Sequence, residues 1–94
     1  SSVEDPASIG EKIKVYPNPA RVYLYLKDLP ENVDVNVEIY NILGRKMQSA
    51  IFSASSSKNE QRLNISDLQK GIYLVRIFDE QMNILATHYI TKMK

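Results

Sequence analysis

Apolar and polar residues alternate with period two in several short runs along this chain, the repeat that places successive side chains on opposite faces of a strand. The clearest run is Val35-Asn36-Val37-Glu38-Ile39-Tyr40, with Val35, Val37 and Ile39 on one face and Asn36 and Glu38 on the other. Ile13 to Tyr16 is a shorter run of the same kind. Val22 to Leu26 predicts a strand with Val22, Leu24 and Leu26 inward. Gln61 to Ile65 predicts another, with Leu63 and Ile65 inward. Ile72 to Phe78 turns Tyr73, Val75 and Ile77 in and Arg76 out. Leu74 and Phe78 then make its outer face more apolar than solvent alone would require. Arg45 to Phe52 is less regular, with Met47 expected in the core. Ile84 to Thr91 can be read in either phase; Ile90 inward is preferred, which leaves Tyr89 half exposed.

Turn-forming residues separate these runs. Asp28 to Asp34 holds Pro30 and Asn32. Asn41-Ile42-Leu43-Gly44 is a turn in which Gly44 is expected at positive φ. Ser53 to Asn59 is a polar loop, and Asp79 to Asn83 a hairpin loop. Ser66 to Gly71 suggests one helical turn, capped by Ser66 or Asp67 and ended by Gly71, with Leu68 plugging one end of the core. Pro17 and Pro19 restrict themselves and the residues before them, so Tyr16 to Pro19 is expected to be extended. Asn18 can close an Asx-turn onto the N–H of Ala20. Seven strands with turn signals roughly every 8–12 residues describe an all-β fold, an immunoglobulin-like β-sandwich of about seven antiparallel strands. A small barrel of the same strand count is the alternative. No helix is long enough for a crossover, which excludes a parallel α/β sheet.

A chain of 94 residues makes one domain. Ser1 to Glu11, acidic and without periodicity, reads as a flexible linker, and residues 12–94 as the domain. At this size only about 60–65% of the extended surface is buried, so the stability margin is thin. There is no cysteine, which excludes a disulfide framework, a cysteine zinc site and a thiol nucleophile. The net charge of +1 is well mixed, unlike the basic face of a nucleic-acid binder. No apolar run reaches the length of a membrane span. Any export signal at the amino end would belong to a longer precursor.

Candidate chemistry is sparse. His88, the single histidine, has no cysteine to share a metal with and reads as a surface or edge-strand residue. Asp79, Glu80 and Asn83 could touch a calcium ion, but their spacing is not that of a calcium loop, and a polar hairpin fits better. Gly10, Gly44 and Gly71 form no phosphate cradle. No catalytic residue, cofactor site or metal site is therefore expected. Tyr23 and Tyr25 share the face opposite Leu24, with Tyr16 nearby in sequence. That stripe fits either partner contact or ordinary cross-strand packing.

Four segments, in this order, carry a resemblance: Pro17-Asn18-Pro19 after a short strand; Ile39 to Arg45; Leu68 to Ile77; and a basic carboxy-terminal strand. Together they resemble the C-terminal sorting domain of the bacterial type IX secretion system over roughly residues 12–94. The resemblance implies an immunoglobulin-like sandwich at the end of exported proteins of Bacteroidetes. It implies a non-enzymatic signal that directs cargo from the periplasm across the outer membrane to the cell surface. The implied partners are the secretion machinery, including outer-membrane shuttle proteins and a sortase-like surface peptidase that cuts before the domain, in Ser1 to Glu11 here. No nucleic acid and no membrane span are implied. Carried onto this chain, Pro17, Asn18 and Pro19 match the first signature. Gly44 matches the hairpin glycine, Leu68, Gly71 and Tyr73 the second signature, and Lys92, Met93 and Lys94 the terminal signal. The family's last strand often has a basic residue shortly before an apolar pair; here His88 and Tyr89-Ile90 stand in that region, a looser match. Tyr73 is expected to enter the core and reach backbone with its hydroxyl, a relative of the tyrosine corner. The alternative function is an accessory carbohydrate- or protein-binding module of a secreted enzyme, acting through the Tyr23/Tyr25 face.

Overall fold

Alternation becomes strand where one face can be buried, and the described residues form seven strands: β1 (Lys14–Tyr16), β2 (Tyr23–Lys27), β3 (Val35–Tyr40), β4 (Lys46–Phe52), β5 (Gln61–Asn64), β6 (Gly71–Phe78) and β7 (Ile84–Lys92). The structure is a computed structural model that describes residues 13–30, 33–53 and 60–94. The expected linker and most of the loop from Ser53 to Asn59 lie outside the described residues. One sheet has the order β1-β2-β5 and the other β4-β3-β6-β7. All pairings between strands are antiparallel. The two sheets enclose one core in an immunoglobulin-like sandwich. Leu24, Leu26, Val37, Ile39, Ile65, Val75 and Ile77 are fully buried in it. These are the β-branched and leucine residues that alternation had turned inward, and their burial is the dominant stabilising term.

Several inward and extended assignments are corrected. Val22 lies before β2 and is 46% exposed; its carbonyl instead accepts the Ile65 N–H at 2.8 Å. Met47 is 47% exposed because the β3–β4 register shifts between Ile39 and Tyr40. That bulge gives the inward position to Gln48, whose amide reaches the Asn64 carbonyl at 2.7 Å and links β4 to β5. Segment 66–71 has a turn and no helix. The Ser66 N–H and hydroxyl both bond the Asn64 side chain, so neither Ser66 nor Asp67 caps a helix. Leu68 is nonetheless buried in the core. Tyr16–Pro17 and Asn18–Pro19 are cis peptides, and the chain bends at Asn18 and Pro19 instead of running straight through Tyr16 to Pro19. In β7 Ile90 points inward, and Tyr89 is 71% exposed, well beyond half.

The β3–β4 and β6–β7 hairpins are closed by the same device. In the first, Asn41 N–H bonds the Arg45 carbonyl and the Gly44 N–H bonds the Asn41 carbonyl. The Asn41 side chain also accepts from the N–H groups of Leu43 and Arg45. Gly44 at φ 84° closes this bulged loop, as its lack of a Cβ allows. In the second, Asp79 takes the Asn41 part and Met82, at φ 66°, the glycine part.

The Asp79 carboxylate accepts from Asn83 through both its amide side chain and its backbone, and from the Gln81 N–H. Those bonds, the Asn83 side chain first, hold its pKa below the ordinary carboxylate value. A depressed pKa in the folded state adds stability above the unfolded value, and that contribution fades as pH falls through the folded one. Below about pH 4 the Gln81 and Asn83 amides are therefore expected to lose protection, measured against their intrinsic exchange at the same pH. Asp79→Asn keeps an acceptor but cannot titrate, so its protection relative to intrinsic exchange should not change with pH in this window. Undiminished protection in acid for the parent chain would refute the assignment.

Candidate functional site

The four signature segments meet at one pole of the sandwich. Antiparallel pairing fixes this: β3 ends, β6 begins and β7 ends on the same side, with Tyr40 opposite Leu74, Leu74 opposite Tyr89 and Gly71 opposite Lys92. The Asn41–Gly44 loop, the 66–71 turn and the carboxy-terminal residues therefore share that end. The Pro17-Asn18-Pro19 bend joins them through direct bonds to β7.

Asn18 is the link between the first and last signatures. It does not close the expected Asx-turn. Its side-chain oxygen accepts the Thr91 N–H at 2.9 Å, and its side-chain amide donates to the Tyr89 carbonyl at 3.1 Å. The side chain thus pairs with the rim of β7 as a backbone peptide would. Ala20 continues the pairing with its backbone: its N–H bonds the Thr91 carbonyl at 2.8 Å, and its carbonyl accepts the Met93 N–H at 2.7 Å. The outward-facing backbone groups of Tyr89, Thr91 and Met93 are covered in succession. Pro17 and Pro19 bring no N–H to this contact, so they add no donor in need of a partner. The exposed edge that β7 would otherwise offer to another chain is closed along this stretch.

The terminal residues differ in what they show to solvent. Lys92 is only 4% exposed, and its ammonium donates to the Met93 carbonyl at 2.7 Å. Its stem is buried, and its ammonium is held against a neighbouring carbonyl and not extended into solvent. Met93 is half-buried and Lys94 exposed. The Lys94 backbone oxygen accepts from the Arg21 guanidinium at 3.5 Å.

The second signature has a structural role at the same pole. Tyr73 is 6% exposed and its hydroxyl donates to the Gln69 carbonyl at 2.7 Å, tying the 66–71 turn to β6. Gly71 has φ 156°. A Cβ there would meet only the Tyr73 ring, at 3.9 Å, so its constraint is one of backbone conformation and not of space.

Candidate chemistry away from the pole resolves into packing. His88 is half-buried on the edge strand β7, and its Nε2 lies 3.1 Å from the carbonyl of Ile13, the residue just before β1. That contact requires Nε2 to carry the proton. Asp79 spends its oxygens on its own loop, and no group of metal-binding side chains occurs among the described residues. Tyr16 and Tyr25 stack at 5.5 Å, Tyr23 tilts against Tyr25 at 6.4 Å, and Arg62 lies 4.3 Å over Tyr23. Tyr16 packs on Tyr25 across strands, and Tyr23 packs along β2 under Arg62, while Tyr16 stays 37% exposed. The bond from Tyr16 to Glu60 raises the Tyr16 phenol above its ordinary pKa.

Alanine at position 18 removes two bonds and leaves the Thr91 N–H and the Tyr89 carbonyl to water. At roughly 0.5–1.5 kcal/mol per bond, the expected loss is about 1–3 kcal/mol. The accompanying sign is a loss of protection at the Thr91 amide larger than the loss at the Val75 amide, which sits at the centre of β6 and reports the global change. Unchanged protection of Thr91 in Asn18→Ala would refute the clamp.

Comparison with known proteins adds to this geometry. The family model described as "Secretion system C-terminal sorting domain" matches residues 14–91. No curated protein matches the chain. A solved structure of PorZ, described as an essential bacterial surface component of the type-IX secretion system of Porphyromonas gingivalis, is similar in fold. Its TM-score is 0.63 at 17% identity, over 95% of this chain and 12% of that one. The chain thus spans only a small part of the length of that relative.

Proposed function

This chain belongs to the family of secretion system C-terminal sorting domains, and we propose that the pole where its signature segments converge is the surface the export machinery reads. The domain is a type IX secretion sorting signal, a non-catalytic tail that marks the protein carrying it for export across the outer membrane. The finer steps rest on the family resemblance: passage through the periplasm, hand-over to outer-membrane shuttle proteins, and cutting by a sortase-like peptidase within Ser1 to Glu11. Residues 12–94 act as the signal, and their role is recognition without chemistry.

One observation carries the choice of the pole. Asn18 and Ala20 occupy the outer edge of β7 between Tyr89 and Met93. Strand addition at that edge would have to displace them. The loops and side chains of the pole are accessible without any such displacement: Ile42 and Leu43 are each 80% exposed.

The test is a fusion. A periplasmic passenger joined to this chain, expressed in a Bacteroidetes strain with an active type IX system, is expected at the cell surface, open to added protease. The same passenger without the domain should stay protected. Equal protection of both would sink the reading.

A further inference from the structure

The outer face of the four-stranded sheet carries a cation that makes no ion pair among the described residues, beside an apolar concavity. Arg76 is half-buried on β6, its Nε is buried with no hydrogen-bond partner, and its guanidinium lies 5.6 Å from the Tyr40 ring centre. Its cross-strand neighbours are Glu38 and Thr87. Glu38 would be the natural partner, but its carboxylate accepts the Tyr40 hydroxyl and faces the Lys46 ammonium at 3.5 Å. Thr87 is neutral. Among the described residues Arg76 therefore makes no ion pair.

The surroundings are those of a groove. Tyr40, Leu74 and Tyr89 lie in one cross-strand row. With Ile42, Ile72 and Arg76 they line a concavity of about 360 Å³. Ile42 is 80% exposed, Ile72 54% and Tyr89 71%. Large apolar side chains left open beside one another mark a surface meant to be covered. An unpaired guanidinium at its side specifies the charge of what covers it, because a planar fork binds a carboxylate through two parallel bonds. Those bonds gain strength where water is partly excluded.

We propose that this groove binds an extended segment of a partner protein in which a carboxylate side chain alternates with apolar ones. In an extended segment every second side chain points the same way, about 6.5–7 Å apart. One acidic residue can then reach Arg76 while a neighbour two positions away covers Ile72 and Tyr89. A broad anionic lipid surface is disfavoured, because the groove is concave. The proposal goes beyond the export reading and is decided by binding alone.

The probe is the peptide acetyl-Ile-Ser-Glu-Ser-Ile-amide, titrated into the isotope-labelled full chain and followed by NMR. Expected are shifts concentrated at the amides of Ile72, Leu74 and Arg76, and about tenfold weaker binding when glutamine replaces the central glutamate. Arg76→Met should erase the difference between the two peptides. Thr87→Glu places a second carboxylate opposite Arg76, one not engaged by Tyr40 and Lys46 as Glu38 is, and it should weaken the glutamate peptide about tenfold. Equal binding of both peptides by the parent chain overturns the proposal. So does a response centred on Tyr23 and Tyr25, or no response at millimolar peptide. Arg76-dependent sedimentation with phosphatidylglycerol vesicles, in place of a peptide response, overturns it in favour of a lipid.

Discussion

A passenger fused to this chain and lacking Lys92 to Lys94 is expected to remain in the periplasm. The structure gives the truncation two effects, and they need separating. It removes the bond from Met93 N–H to the Ala20 carbonyl and the acceptor of the Arg21 guanidinium. It also removes the residue paired with Gly71 at the end of β7, together with the buried stem of Lys92. At about 0.8 kcal/mol per buried methylene and about 1 kcal/mol per bond, the loss is about 3–5 kcal/mol. A domain of this length has roughly 5–14 kcal/mol in total, so the truncated domain is weakened and frayed at the pole. Lys92→Met separates fold from charge. It keeps the stem and deletes an ammonium that serves only its neighbour's carbonyl, so both folding and surface delivery are expected to survive. Protease accessibility of the passenger reads delivery, and thermal unfolding of the purified domain reads the fold. Surface delivery of the truncated fusion would refute the terminal signal. Retention of a folded Lys92→Met fusion would show that the buried charge is itself read.

The parts of this fold legible in the sequence are those set by local periodicity. β3 stands out because Val35, Val37 and Ile39 all have core on one side and the polar residues between them do not. Gly44 and Tyr73 were legible for a similar reason: a tight loop and a buried phenol each have few solutions. What escaped depended on distant partners. Met47 lies where a bulge shifts the phase, and nothing local announces a bulge in a run of mixed residues. Val22 is apolar and in phase, yet Ile65 claims its carbonyl and β2 begins one residue later. The role of Asn18 was the largest omission. Its partners are over 70 residues away, and the nearer N–H of Ala20 looked like the obvious acceptor's target. A cue was present: between two prolines, the amide of Asn18 is the richest hydrogen-bonding group in a stretch poor in donors. Such a group is well placed to serve a distant strand. The convergence of the four signature segments follows from strand order, which alternation does not encode.

Gly71→Val carries the second large expectation, and it distinguishes a structural signature from a contact signature. Gly71 opens β6 in register with Lys92, at a φ that L-residues rarely adopt. The space around it would admit a Cβ, so the cost is backbone strain of about 1–3 kcal/mol, toward the upper end for a β-branched side chain. In a domain of this size a loss of 2 kcal/mol lowers the melting temperature by about 10 °C. The strain falls on the strand entry that also sets Tyr73 in the core and faces the end of β7, so fraying should show first in the Lys92 and Tyr73 amides. If the glycine is there for conformation alone, export should follow folding: impaired near the lowered melting temperature, normal well below it. A Gly71→Val domain that stays folded by hydrogen exchange yet leaves its passenger in the periplasm would show the machinery touching position 71 itself. The structural reading of the second signature would then fail, and the exposed rim of the 66–71 turn would become part of the recognised surface.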